Sequence, residues 1–385
     1  MSRPIYAVVH QAALAHNLAI ARQYMPESEV FAVIKANAYG HGIERVYDAF
    51  KSADGFAVLE ITEARRLRAL GWQGKILLLE GIFSPQDLYD CTALNLSFSL
   101  HSDDQLEWLQ AFSHLQQSPD SSALFSEQIP KFDVFLKMNS GMNRLGFTPD
   151  RYTEVWHQLK QLDVVDQITH MTHFSDADGE RFGQSGIAEQ LQCFESVIAE
   201  LPGKRSISNS AAILGYAQQL HSDVVRSGIM LYGSSPDYPN HTIQDWNLQP
   251  TQSLRSTLIA IQYIQAGQSV GYGSRFVAEH SMRIGIVACG YADGYQRLTE
   301  TGTPVLVNSV RTQIIGRVSM DMLAVDLSTI SDANVGSEVV LWGVSSQGAV
   351  LPIDEVAAGS GTVGYELICA LTARVAIMIE HEFKQ

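Results

Sequence analysis

In "AVIKANAYGHG" (residues 32–42) an apolar, strand-like run ends in Lys35 and passes into two glycines flanking His41. Burying an ammonium group is costly. Lys35 is therefore either a snorkelling stem at a strand end or an amine held at the mouth of a site. Three further segments carry chemistry of the same kind. Lys137 and His173 each follow an apolar run, and Arg226 closes another. "SNSAA" (208–212) supplies Asn209, Ser210 and the free N–H groups of a helix start, a place where an anion can sit. Gly228 and Ile229 follow Arg226, and the glycine lets backbone approach an oxyanion closely. Taken singly, each reads as a solvated lysine, a core histidine or ordinary turn chemistry.

Two motifs suggest other chemistries and fail. "GSGTVG" (359–364) matches the dinucleotide glycine pattern, but only 21 residues remain after Gly364, too few for the βαβ unit and distant acid that such a site needs. "HMTHFSDAD" gathers His170, His173, Asp176 and Asp178, as a metal hydrolase would. On a strand, residues three apart point to opposite faces, so the two histidines do not share an ion.

The elements that would position these residues alternate through the first part of the chain. Strands are predicted at Val30–Ile34, Gly55–Leu59, Lys75–Leu79, Leu96–Leu100, Phe132–Met138, Ile168–Phe174, Arg205–Ser208 and Val224–Arg226. Between them lie helices over His41–Ser52, Ile61–Leu70, Pro85–Ala93, Asp103–Phe112, Pro149–Leu162 (with Thr148 as its cap), Gly183–Leu201 and Ala211–Leu220. Gln116 to Pro130 reads as a polar insertion. Eight strands alternating with helices predict an α/β fold, a (β/α)8 barrel rather than a doubly wound sheet. In such a barrel chemistry collects at the C-terminal strand ends, where Lys35, Lys137, His173, Asn209, Ser210, Arg226, Gly228 and Ile229 all fall. After about Leu248 short β-like runs separated by Gly, Asn and Ser predict a mainly-β C-terminal domain closed by a helix near Tyr365–Glu380. "SPDYPNHT" (235–242) reads as a linker, giving domains 1–235 and 236–385.

Composition narrows the partners. The 385 residues are 46% apolar and 17% charged, with 26 basic against 41 acidic side chains and a net charge of −15. No basic run supports nucleic-acid binding. No apolar stretch reaches the roughly 20 residues of a membrane span, and no secretory leader is apparent. Cys91, Cys193, Cys289 and Cys369 are widely spaced and read as reduced thiols, which places the chain in the cytoplasm.

With "AVIKANAYGHG" the sequence resembles the alanine racemases, pyridoxal-phosphate enzymes of barrel-plus-β-domain build. The resemblance continues in order through "LKMNSGMNRLGF" (136–147), "THFSDAD" (172–178), "SNSAA", "VRSGIMLYG" (225–233), "VGYGSRF" (270–276), "CGYADGY" (289–295), "GRVSMDM" (316–322) and "GTVGYELIC" (361–369). It spans essentially the whole chain. The lysine segment alone would also suit a related decarboxylase or a cofactor carrier; the C-terminal segments are more specific.

The resemblance implies a homodimer that interconverts L- and D-alanine, for peptidoglycan supply or alanine catabolism. Lys35 would hold pyridoxal 5'-phosphate as a Schiff base and act as one base on its aldimine with the substrate; Tyr272 of the second subunit would be the other. Tyrosine is a weak base near neutrality, and the resemblance sets Tyr272 beside His173 and that beside Arg226, so a lowered Tyr272 pKa is expected. Arg226 would face the pyridine nitrogen and leave it unprotonated. Tyr39, Ser210, Gly228, Ile229 and Tyr365 would bind the phosphate, with Asn209 beside them. Arg144 would reach the cofactor's phenolic oxygen and the substrate carboxylate, joined there by the Met320 backbone, while Tyr291 and Asp321 shape the approach. Lys137 corresponds to a lysine carbamylated in many members; a plain lysine is the alternative. Asn139, Ser319 and Gly364 depart from the residues common at their positions. A serine or broader racemase of the same build, a non-catalytic cofactor carrier and the metal hydrolase are the rivals, and the bulk of Tyr39, Tyr272 and Tyr365 favours a small substrate side chain.

Overall fold

The computed structural model describes residues 3–116, 131–181 and 183–380, so residues 117–130 of the polar insertion lie outside the described residues. The chain divides into two compact units, one of residues 18–38 and 50–228, the other of residues 1–17, 39–49 and 229–385.

The first unit is the barrel. Numbering strands in chain order after β1 (Tyr6–Val9), its strands are β2 (Glu29–Val33), β3 (Gly55–Val58), β4 (Lys75–Leu78), β5 (Ser97–Leu100), β6 (Phe132–Lys137), β7 (Val165–Met171), β8 (Lys204–Ser206) and β9 (Val224–Ser227). All neighbours pair in parallel, in the order β8-β7-β6-β5-β4-β3-β2-β9. The Arg226 N–H donates to Ser208 O at 3.0 Å and nearly closes the ring. Strands β3, β5 and β9 are buried at every position, as expected of a parallel sheet whose faces are both covered. Each strand predicted from sequence is present, with ends shifted by up to three residues. Helix Asp103–Gln116 runs longer than expected and Ala188–Ile198 shorter.

The second unit is mainly β. It contains β10 (Gln252–Ile264), β11 (Met282–Val287), β12 (Pro304–Val307), β13 (Val310–Ile315), β14 (Leu323–Asp326), β15 (Glu338–Val344), β16 (Val350–Leu351) and β17 (Ala376–Ile379). Pairing runs β16-β15-β12-β13-β14-β11-β10-β1-β17, and a further β15–β10 pairing joins six of these strands into an antiparallel ring. Tyr295 and Trp342, both fully buried, stack with centroids 6.1 Å apart. One sequence expectation is corrected here. The C-terminal helix is only Gly364–Cys369. The following Ala-Ile-Met-Ile stretch instead forms β17, parallel to the N-terminal β1 in the register Tyr6↔Ala376, because β1 offers an open edge that no local pattern announces. The segment 235–242 is tied into this unit: Ser235 N–H donates to Asp354 at 3.0 Å and Trp246 Nε1 to Asp237 at 3.0 Å.

Candidate active site

Lys35 begins one turn that winds the wrong way. Ala36, Asn37, Ala38 and Tyr39 have φ of 53°, 55°, 56° and 49°, a left-handed turn built without glycine. Each such residue costs roughly 1–2 kcal/mol, so the turn needs bracing. Ala38 N–H donates to Ile34 O at 2.8 Å. Buried Glu63 accepts the Asn37 N–H at 2.9 Å and the Leu59 N–H at 3.1 Å. Arg66 donates to Asn37 Oδ1 at 2.7 Å. The braced turn leaves Lys35 half-buried at the end of β2.

Lys137, Arg226 and Arg144 lie in the same unit. Lys137 ends β6 at 6% exposure. Burial, helped by Arg226, Arg144 and Lys35, lowers its ammonium to about 8. The buried Arg226 guanidinium donates to Ser206 O at 2.6 Å, Ser206 Oγ at 2.8 Å and Thr172 O at 2.8 Å, and burial pulls it down to about 10. It also lies 3.3 Å from His173 Nδ1. Desolvation, then Arg226 and Lys137, hold His173 well below the usual imidazole range, so the ring is neutral. Guanidinium only donates, so Nδ1 accepts and the ring proton is on Nε2. Arg144 is exposed on the loop after β6, lining a small cleft with Lys137, Thr172 and His173. Among the described residues none of Lys35, Lys137, Arg144 and Arg226 makes an ion pair, in a chain of net charge −15. His170 has other partners, lying 3.0 Å from the Tyr152 hydroxyl, and His173 falls two residues past the end of β7 rather than on the strand.

Asn209 caps helix Ser210–Tyr216, its Oδ1 accepting from Ala212 N–H at 3.0 Å. Ser210 Oγ accepts the Gly228 N–H at 3.0 Å, joining the segments after β8 and β9. Asn139 caps the following loop, accepting from Asn143 N–H at 2.9 Å and donating to its Oδ1 at 3.1 Å. An aspartate there would lose that donation.

In the second unit Tyr39 is buried and stacks on Tyr232 at 4.5 Å, with Tyr365 6.0 Å away; Ile229 is buried in the short helix Ile229–Tyr232. Tyr272 is 71% exposed. Gly271 and Gly273 on either side both take φ of 75°, a conformation that suits glycine. Tyr291 and Met320 are also exposed, while Asp321 is half-buried and ion-paired with Arg374.

Residues 9–236 match the family model for the alanine racemase N-terminal domain, and residues 251–379 that for the alanine racemase C-terminal domain. An alanine racemase of Acinetobacter baumannii (strain SDF) is 65% identical over 375 residues, covering 97% of this chain and 98% of its own. The chain belongs to the alanine racemase family. An alanine racemase of Acidovorax sp. (strain JS42) is 56% identical over 382 residues, 99% of this chain and 100% of its own. The crystal structure of biosynthetic alanine racemase from Pseudomonas aeruginosa superimposes with a TM-score of 0.89 at 41% identity, covering 98% of this chain and 100% of that one. The alanine racemase family depends on pyridoxal phosphate. Sequence reasoning missed Glu63, Asp293 and Arg374. Glu63 had a local signal, an acid three residues after Glu60 at a helix start; the other two are recognised only through partners distant in the chain.

Proposed function

We propose that this chain interconverts L- and D-alanine with pyridoxal 5'-phosphate, as a cytoplasmic homodimer whose sites each take Lys35 from one subunit and Tyr272 from the other. The observation that carries the proposal is the group of unpaired cations around Lys35. Lys35, Arg144 and Arg226 lack carboxylate partners among the described residues, and their donor-only chemistry suits a ligand rich in anionic oxygen, as the cofactor and an amino-acid carboxylate both are. When bound, the cofactor supplies an electron sink for the pair left on the substrate's Cα when its proton departs.

The protein's part is positioning and proton transfer. Lys35 Nζ is the amine that would attach the cofactor and move the proton on one face of Cα. Tyr272 of the partner subunit would move it on the other. His173, neutral and carrying its proton on Nε2, would donate to that phenol oxygen and hold the charge left there. Arg226 keeps His173 in this tautomer and, as an obligate donor, would leave a facing ring nitrogen unprotonated. Arg144 would bind the substrate carboxylate with the Met320 backbone, Tyr291 and Asp321 lining the approach.

For the phosphate, Asn209, Ser210 and Gly228 on the one hand, and Tyr39, Ile229 and Tyr365 on the other, are assigned from the family resemblance. Residues 1–235 would then bind the cofactor and 236–385 serve the partner's site. Lys137, buried and with its ammonium lowered to about 8, has a neutral fraction able to add carbon dioxide, releasing a proton and leaving a carbamate among three cations. Free, separated cysteines support the cytoplasmic setting, and the absence of a basic run argues against a nucleic-acid partner. Among the described residues no helix is long and apolar enough to cross a membrane.

The test is incubation of purified, cofactor-loaded protein with L-alanine in deuterated water. Loss of optical rotation with deuterium entering at Cα is expected. Exchange without racemisation, or neither, would overturn the reading.

A further inference from the structure

The segment presenting Met320 and Asp321 is held by charges that no role above uses. Asp293 lies in "CGYADGY" with its side chain wholly buried. It accepts from Arg3 and from Gly290 N–H at 2.9 Å, and lies 3.3 Å from Arg374 Nε. Arg374 also donates through its other arm to Asp321 Oδ1 at 2.6 Å, while Arg3 donates to Asp321 O at 2.5 Å. Two guanidinium groups thus meet two carboxylates. The backbone is tied just as closely: Tyr291 N–H donates to Ser319 O and Ala292 N–H to Met320 O, both at 3.0 Å. A side chain at Gly290 would strike Met320 O at 2.4 Å. Within this bracing the Met320 N–H has no acceptor among the described residues.

A free N–H suits a carboxylate, but the next residue is itself an acid. Unneutralised, Asp321 would repel an anionic ligand at Met320, and the repulsion between like charges a few ångströms apart is substantial near a protein surface. We propose that Arg374 is a positioning residue that neutralises and orients Asp321, anchored by buried Asp293, so that the Met320 segment accepts the substrate carboxylate. The role rests on the alanine racemase reading. It acts on substrate capture and leaves proton transfer to other groups.

The experiment compares Arg374→Ala, Asp321→Asn and the double variant as cofactor-loaded enzymes. Arg374→Ala is expected to raise the KM for alanine about tenfold, the equivalent of one lost charge-assisted contact, with kcat within about threefold of the parent. The double variant is expected to recover most of that KM, because the exposed negative charge has gone. Arg374→Lys, which keeps the charge but not the fork, is expected to fall between. An unchanged KM in Arg374→Ala, or a double variant no better than the single, overturns the proposal. If Arg374→Ala does not fold, a lowered alanine KM in Arg374→Lys/Asp321→Asn relative to Arg374→Lys supports it and an equal KM overturns it. A parent enzyme that fails to racemise alanine would instead sink the functional reading.

Discussion

Lys35 and Tyr272 are held in opposite ways. Lys35 is half-buried, follows a barrel strand and opens a left-handed turn tied down by Glu63 and Arg66. Around it stand cations whose pKa values burial has lowered. Tyr272 stands 71% exposed between two left-handed glycines. One region is enclosed within its own unit; the other presents an exposed phenol. Such an imbalance is what a site completed by a second copy would show, since an isologous dimer supplies each exposed group with the other copy's environment.

The most severe test of that difference mixes two dead proteins. Lys35→Ala is expected to lose at least 10³-fold in kcat, and Tyr272→Phe about 10²–10⁴-fold, as lost acid–base groups do. If the two groups come from different subunits, refolding the variants together restores activity. Random pairing makes half the dimers mixed, each with one intact site of two, or about a quarter of parental activity. Activity no higher than the separate variants would place both groups in one chain. The pH–rate profile sharpens the point: Tyr272→Phe is expected to change it, and an unchanged profile removes Tyr272 from proton transfer.

Smaller effects probe the enclosed side. Lys137 has a folded pKa near 8, below its value of 10.5 in the unfolded chain. Below about pH 8 the folded state carries an ammonium it disfavours. As pH rises from 8 to 10.5 the unfolded chain binds more protons, so this contribution to stability rises by on the order of 3 kcal/mol. Urea melts of Lys137→Met across that window are expected to show a flatter rise than the parent. Parallel curves would mean that Lys137 is already modified or not desolvated. Mass spectrometry after labelling with isotopic bicarbonate separates the two.

The weakest effect is the most local. Ala36→Gly relieves one left-handed residue, so stability is expected to rise by about 1 kcal/mol, read as a higher urea midpoint. A looser turn is also expected to lower kcat several-fold, because Lys35 is then less firmly placed. A destabilised variant would show that the turn is not strained.

Much of this was legible in the residues. The eight barrel strands follow from apolar runs alternating with amphipathic helices, and the β-rich second unit from short runs broken by Gly, Asn and Ser. The placement of Lys35, Lys137 and Arg226 at barrel strand ends was legible because each follows or closes an apolar run. The strand Ala376–Ile379 was not, since its partner Tyr6–Val9 lies at the far end of the chain. The left-handed turn was hidden because Ala-Asn-Ala carries no glycine to announce it, and the ion pairs of Asp293 and Arg374 because their members are up to 290 residues apart.

By itself the sequence determined the kind of fold, the order of its elements and the chemical groups available, all of which depend on residue type and local periodicity. Only the tertiary structure decided the handedness of the turn after Lys35, the neutral state of His173, the lowered ammonium of Lys137 and the ion pair between Arg374 and Asp321. Those properties are energies of neighbours brought together by folding, and burial and charge act through distance in space rather than along the chain.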